Sequence, residues 1–223
     1  MHFDKTLIFV DGENLVLRYQ HMLSEGRVPR PDNVHIQDCF IWNQRVLDDN
    51  TWDLKLLAYY TSVVGDDKLI QDVREKIALT TFICVRKRTE NFVSTTSGQI
   101  VPFVRKKAKK SNKDSVCDIA ITVDIMRACY RDHAETIWLF SGDGDFIELL
   151  YEAVHSGKRV YVSAFSSGLN KEIPYVVDEF IPLEKYFFLS EQELADSAAQ
   201  QPLDLAISIE TVQAEQELLV PKS

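Results

Sequence analysis

The stretch Thr6-Leu7-Ile8-Phe9-Val10-Asp11-Gly12-Glu13-Asn14 decides how the rest of the chain is read. Five residues, Thr6 to Val10, form a short apolar run, the pattern of a central strand buried on both faces. Asp11-Gly12 ends it, and helical periodicity predicts a helix over about Asn14 to Leu23. A fully apolar first strand followed at once by a helix belongs to an α/β sheet with largely parallel strands rather than to a sandwich. The remaining chain agrees. Strands are expected at 54–62, 82–88, 136–140, 159–165 and 180–183, and helices from Gly65-Asp66-Asp67, over 115–130, from Asp143 to Ser156-Gly157, and over 169–177. Residues 34–52 fit either a strand or a buried helix face. Asn91 to Lys110 resembles a hairpin turning near Ser97-Gly98, with Tyr59 and Tyr60 on the strand before it alternating between core and cleft mouth.

Composition bounds the function. With 45% hydrophobic and 26% charged residues the chain is expected to fold rather than stay disordered. No apolar run reaches the roughly 18 residues of a membrane helix, so no membrane association is expected. The N-terminus enters the first strand directly, unlike a secretory leader, and a cytoplasmic location is the expectation. Cys39, Cys84, Cys117 and Cys129 lack C-x-x-C spacing and read as reduced, buried thiols. The five histidines are scattered without ligand spacing.

The net charge of −9 speaks against a polyanionic partner, but its distribution does not. Between Arg86 and Lys113, nine basic residues face one acid, Glu90, for a local charge of +8. The return arm carries Arg105, Lys106, Lys107, Lys109, Lys110 and Lys113, the candidate nucleic-acid contacts. Such a stripe binds phosphates through counterion release whatever the global sign. Beyond Ser190, seven acids face Lys222, a net −6. The expected organisation is therefore a domain over 1–188 and an acidic tail over 189–223, mobile or conditionally helical. A protein partner for that tail, and a homodimer, are left open.

Acidic residues at strand ends carry the chemistry. Asp11 closes the first strand, and Asp143 and Asp145 follow the strand ending at Phe140. Asp118 opens the helix after the basic stretch. In parallel α/β sheets the carboxyl ends of strands face the ligand crevice. Mg²⁺ or Mn²⁺ is a hard cation that takes oxygen ligands and keeps waters, so two or three carboxylates suffice. Gathered carboxylates without a cation repel one another and raise their own pKa values.

The motifs around these acids resemble those of the NYN domain, the branch of PIN-like nucleases that includes LabA-type proteins. Val10-Asp11-Gly12-Glu13-Asn14-Leu15 is similar to its D-G-x-N opening, and Val116 to Asp124, with Lys113 nearby, to its K-x-x-V-D-h-x-h-x-x-D helix. Ser141-Gly142-Asp143-Gly144-Asp145-Phe146 is similar to S-G-D-x-D-F, and Ala153 to Val160 to A-x-x-x-G-x-x-V. The likeness runs over residues 5 to 185, in the family's order. It implies a three-layer PIN-like sheet flanked by helices and metal-dependent endoribonuclease chemistry on RNA, with single-stranded DNA a second candidate substrate. It implies Asp11, Asp118 and Asp143 as holders of Mg²⁺ or Mn²⁺, Asp145 completing the acidic pocket or orienting a water, and Asn14 and Ser141 steadying the ligands. Cys117, before Asp118, departs from the aliphatic residue or glycine of the pattern. Asp124 lies six positions beyond Asp118, a rotation of about 240° on a helix, so Asp118 is the expected ligand and Asp124 a supporting residue. The competing readings are an RNA-binding module that does not cut and a haloacid-dehalogenase-type phosphatase. The second is opposed by Glu13, where that family needs Asp. A dinucleotide fold lacks its G-x-G-x-x-G.

Overall fold

The computed structural model describes residues 4–48, 53–89, 92–107, 115–131 and 134–196. The first strand, β1 (Lys5–Asp11), is buried from Thr6 onward and pairs in parallel on both sides. Asp11 then caps α1 (Gly12–Ser24), its carboxylate accepting the Asn14 N–H. The strand-to-helix turn is tight because β4 (Asp53–Val63) runs beside it. A Cβ on Gly12 would fall 2.2 Å from the Tyr59 ring and 2.7 Å from the Tyr60 carbonyl oxygen, so only glycine fits.

The ambiguous residues 34–52 form a small antiparallel hairpin, β2 (Val34–Ile36) with β3 (Phe40–Trp42), and then a 3₁₀ turn, Gln44–Leu47. Asp66 caps α2 (Asp67–Leu79) by accepting from the Leu69 N–H. Ile70, Val73 and Ile77 form its buried face, as expected, whereas Leu69 stays exposed.

The hairpin that follows differs from its expected form. Its arms are β5 (Thr81–Thr89) and β6 (Phe92–Gln99), paired up to Thr89 opposite Phe92, so the ladder runs past Ser97-Gly98. Ser97 and Gly98 sit inside the ladder opposite Ile83 and Phe82. Gly98 is a packing residue there: the Phe82 ring covers it, and a Cβ would lie 2.5 Å from that ring. An aromatic ring over a cross-strand glycine replaces the missing side chain. The basic return arm is not a hairpin arm at all. It is β7 (Val101–Lys106), which joins the main sheet parallel to β4.

The chain continues through α3 (Val116–Tyr130), β8 (Thr136–Phe140), a 3₁₀ turn (Gly144–Phe146), α4 (Ile147–His155) and β9 (Arg159–Ala164). It ends this unit with α5 (Ile173–Val176), shorter than the expected 169–177, then β10 (Glu179–Pro182) and α6 (Glu184–Phe187). The main sheet has the order β10-β9-β8-β1-β4-β7, and every pair in it is parallel. One face packs α3, α4 and α5 against Leu7, Phe9, Tyr60, Leu139 and Val162. The other packs α1 among an aromatic layer in which Tyr59 meets Phe40, Trp42 meets Phe140, and Tyr19 meets Phe165 and Phe187. The result is three layers.

This order places the site. From β1 the chain steps outward to β4 and β7, then returns to β8 on the other side and steps outward to β9 and β10. The connections after β1 and β8 diverge, which opens a crevice at the carboxyl ends of those two strands. Val10 pairs with Phe140, so Asp11 and Ser141 leave the sheet side by side.

The chain divides into two units, Met1–Phe187 and Phe188–Ser223. In the second, residues 191–196 are helical, opened by a reciprocal cap in which Ser190 Oγ accepts the Glu193 N–H and the Glu193 carboxylate accepts the Ser190 N–H. The rest of the acidic tail lies outside the described residues. All four cysteines are buried, and none of them is in a disulfide. Among the described residues no helix is long and apolar enough to cross a membrane.

Candidate active site

Asp11 is the centre of the site. Its carboxylate is 3% exposed and accepts two hydrogen bonds, from the Asn14 N–H at 3.1 Å and from the Ser141 hydroxyl at 2.8 Å. Burial raises its pKa to about 7. The two donors pull it back, and the nearby Asp118 and Glu13 carboxylates push it up further. A carboxyl held this way is half-protonated near neutrality unless a cation joins it.

Ser141 and Asn14 stitch the two strand ends together. The Ser141 hydroxyl that donates to Asp11 accepts the Asp143 N–H at 3.2 Å, and the Asn14 side-chain oxygen accepts the Gly142 N–H at 3.4 Å. Asp143 is half-buried and accepts the Asp145 N–H at 3.0 Å, shaping the 3₁₀ turn. Asp118 stands in the first turn of α3. Asp11, Asp118 and Asp143 all wall one open cavity of about 770 Å³, together with Glu13, Asn14 and Lys107. Val16, Leu17, Ile36, Val63, Leu69 and Val73 are among its apolar lining, and Asp38 adds a fifth acid. Among the described residues, no three His, Cys, Asp or Glu side chains are gathered tightly enough to hold a metal ion.

The family model of the NYN domain matches residues 5–184. This chain belongs to the NYN family. A solved protein of unknown function from Vibrio parahaemolyticus has the same fold, with a TM-score of 0.56 at 17% identity, over 84% of this chain and 98% of that one. No curated protein matches the chain. NYN domains are PIN-like and in general nuclease-type folds that bind RNA, and the six-stranded parallel sheet between helices fits that architecture. The phosphatase and dinucleotide readings lose their basis.

Within this NYN domain the other expected residues divide sharply. Asp124 is committed elsewhere: it accepts the Tyr60 hydroxyl at 2.7 Å and pairs with Arg127, away from the cavity wall. Tyr60 is no stacking platform for a base, because it is 1% exposed and lies flat on Phe103 with ring centres 4.6 Å apart. Tyr59 is buried too and receives the Ile41 N–H. Neither tyrosine reaches the cleft mouth, since both faces of β4 are covered. Asp145, expected to complete the acidic pocket, is exposed and does not line the cavity; the 3₁₀ turn swings its side chain outward.

The basic residues divide as well. Arg105 and Lys106 are exposed at the end of β7, and Lys106 pairs with exposed Asp67 at 2.6 Å. Lys107 instead lies in the cavity, 2.6 Å from the Glu13 carboxylate. Lys109, Lys110 and Lys113 lie outside the described residues. Glu13 is the wall residue that sequence reasoning missed. It occupies the variable position of D-G-x-N, where no motif marks it, yet it accepts from Ser62 and Lys107. Cys117, the departure from the family pattern, is buried against Glu13, and its thiol pKa is driven up by burial and the surrounding acids. Its thiol is hydrogen-bonded to the Glu13 side chain.

Proposed function

We propose that the chain is a metal-dependent endoribonuclease that hydrolyses RNA phosphodiester bonds in the cavity at the ends of β1 and β8. The single observation behind this reading is Asp11: a buried carboxylate on the cavity wall, bonded only to neutral donors, at the topological switch of a PIN-like sheet.

The donor set fits a hard divalent cation. Asp11, Asp118 and Asp143 offer carboxylate oxygens, and Asn14, in the first turn of α1, and Ser141, just past β8, offer neutral ones. Mg²⁺ keeps several waters and often binds through one or two carboxylates, so three direct protein ligands are not required. Bound there, Mg²⁺ or Mn²⁺ would polarise the phosphoryl group and lower the pKa of a coordinated water. Asp11, Asp118 and Asp143 would hold the ion. Ser141 and Asn14 fix the Asp11 carboxylate so that it does not rotate away. At neutral pH, cation binding would displace the proton that burial keeps on Asp11, making metal affinity rise with pH. Arg105 and Lys106, with Lys109, Lys110 and Lys113, would hold the RNA backbone.

The absence of three gathered ligands among the described residues favours one alternative, an RNA-binding domain that does not cut. A labelled single-stranded RNA, incubated with Mg²⁺, Mn²⁺ or EDTA, separates the two. The nuclease reading expects cleavage only with metal, lost in Asp143→Ala while RNA binding persists. Binding without cleavage under every metal condition supports the alternative.

A further inference from the structure

We propose that Arg18 is a phosphate-binding residue that grips the substrate backbone beside the carboxylates, an inference that rests on the nucleic-acid reading above. Arg18 lies one helical turn after Asn14 on α1, about 6 Å along the axis, and lines the same cavity as Asp11 and Asp143. Its Nε is enclosed and has no hydrogen-bond partner. Among the described residues no carboxylate pairs with its guanidinium, although five acids wall that cavity. Lys107, by contrast, is bonded to Glu13.

The guanidinium is seated by a glycine. A Cβ on Gly168 would fall 2.1 Å from the Arg18 Cζ and 2.3 Å from Nε. Gly168 also has φ of +73°, a conformation that disfavours any side chain. Its loop is tied down at both ends, by the Asn170 N–H donating to the Gly142 carbonyl at 2.9 Å and by Ser167 Oγ lying 3.3 Å from His21 Nδ1. The chain thus spends a special backbone position on holding a planar fork of donors that the protein itself leaves unanswered. Buried donors in native proteins are nearly always paired, and an orphan in a cavity points to a ligand. A phosphodiester suits this one. The fork matches two phosphate oxygens at once.

The test is binding of the full chain to a fluorescein-labelled single-stranded RNA, measured by anisotropy across a salt series in EDTA so that cleavage plays no part. Arg18→Gln should weaken binding about tenfold and lower the slope of log affinity against log salt by about 0.7, one phosphate contact. Its melting temperature should stay near wild type. Arg18→Lys, which keeps the charge and loses the fork, should fall between. Gly168→Ala should weaken binding by displacing the guanidinium. Unchanged affinity and slope in Arg18→Gln overturn the proposal, as does a loss that only follows lost thermal stability, or a wild-type chain that binds no RNA. Wild-type binding without cleavage, with Arg18→Gln still weakened, leaves the phosphate grip standing while the nuclease reading falls.

Discussion

The Ser141 hydroxyl donates to the Asp11 carboxylate at 2.8 Å, joining residues 130 positions apart at the ends of adjacent parallel strands. The same oxygen accepts the Asp143 N–H, so one small side chain couples two of the candidate metal-holding aspartates. Ser141→Ala should therefore cost about 1–2 kcal/mol, the loss of hydrogen bonds to buried groups. It should also raise the Mg²⁺ concentration needed for half-maximal cleavage. Chemical denaturation and a metal titration check both, and an unchanged metal requirement counts against the coupling.

Asp11 should make the metal-free protein sensitive to pH. Its pKa is near 7 folded against an ordinary value of 3.8. Below the ordinary value both states hold the proton, and no penalty exists. As pH rises toward 7 the unfolded chain has released the proton and the folded one has not, so stability falls, reaching a loss on the order of 4 kcal/mol above pH 7. Asp11→Asn should be more stable than wild type at pH 8 in EDTA, with the gap closing toward pH 4, and should not cleave RNA. Melting curves of the two proteins across that range give the answer. Parallel pH profiles would sink the assignment.

Asp118 and Asp124 share a helix and should behave oppositely. Asp124→Ala strips the acceptor from a buried tyrosine hydroxyl and should cost about 1–3 kcal/mol, leaving metal dependence intact. Asp118→Ala removes a charge that repels Asp11. It should cost less stability and abolish cleavage. The reverse pattern in paired unfolding and activity measurements would exchange their roles.

The basic rim is tested by replacing Arg105 and Lys106 together with glutamine. The Lys106 pair with Asp67 is exposed on both sides, so stability should hardly change. RNA affinity should fall, with the salt slope reduced by up to about 1.4, two phosphate contacts. An unaltered slope would place the RNA elsewhere.

Gly12 should tolerate nothing larger. Gly12→Ala drives a Cβ into Tyr59 and the β4 backbone, and overpacking of this kind costs about 1–3 kcal/mol. Because Gly12 follows Asp11 directly, metal affinity should drop along with the melting temperature.

Strand and helix placement was legible because each rests on local periodicity. Residues 6–10, 136–140 and 116–130 show their burial pattern without help from the rest of the chain. That Asp11, Asp118 and Asp143 share one cavity lining follows an expectation drawn from motif order and, for Asp11 and Asp143, from strand-end position. Ser97-Gly98 misled because a serine-glycine pair marks a turn only when no ring lies across it, and Phe82 sits sixteen positions earlier.

The sequence by itself determined the alternating α/β layout, the family, and which acids fall at strand ends, since all of these are written in neighbouring residues. Tertiary structure alone decided which charges meet. It bonded Lys107 to Glu13, occupied Asp124 with Tyr60 and Arg127, turned Asp145 outward, and seated Arg18 on Gly168. Charge pairing and desolvation depend on distances between segments far apart in the chain, and those distances are set only once β8 returns to lie beside β1.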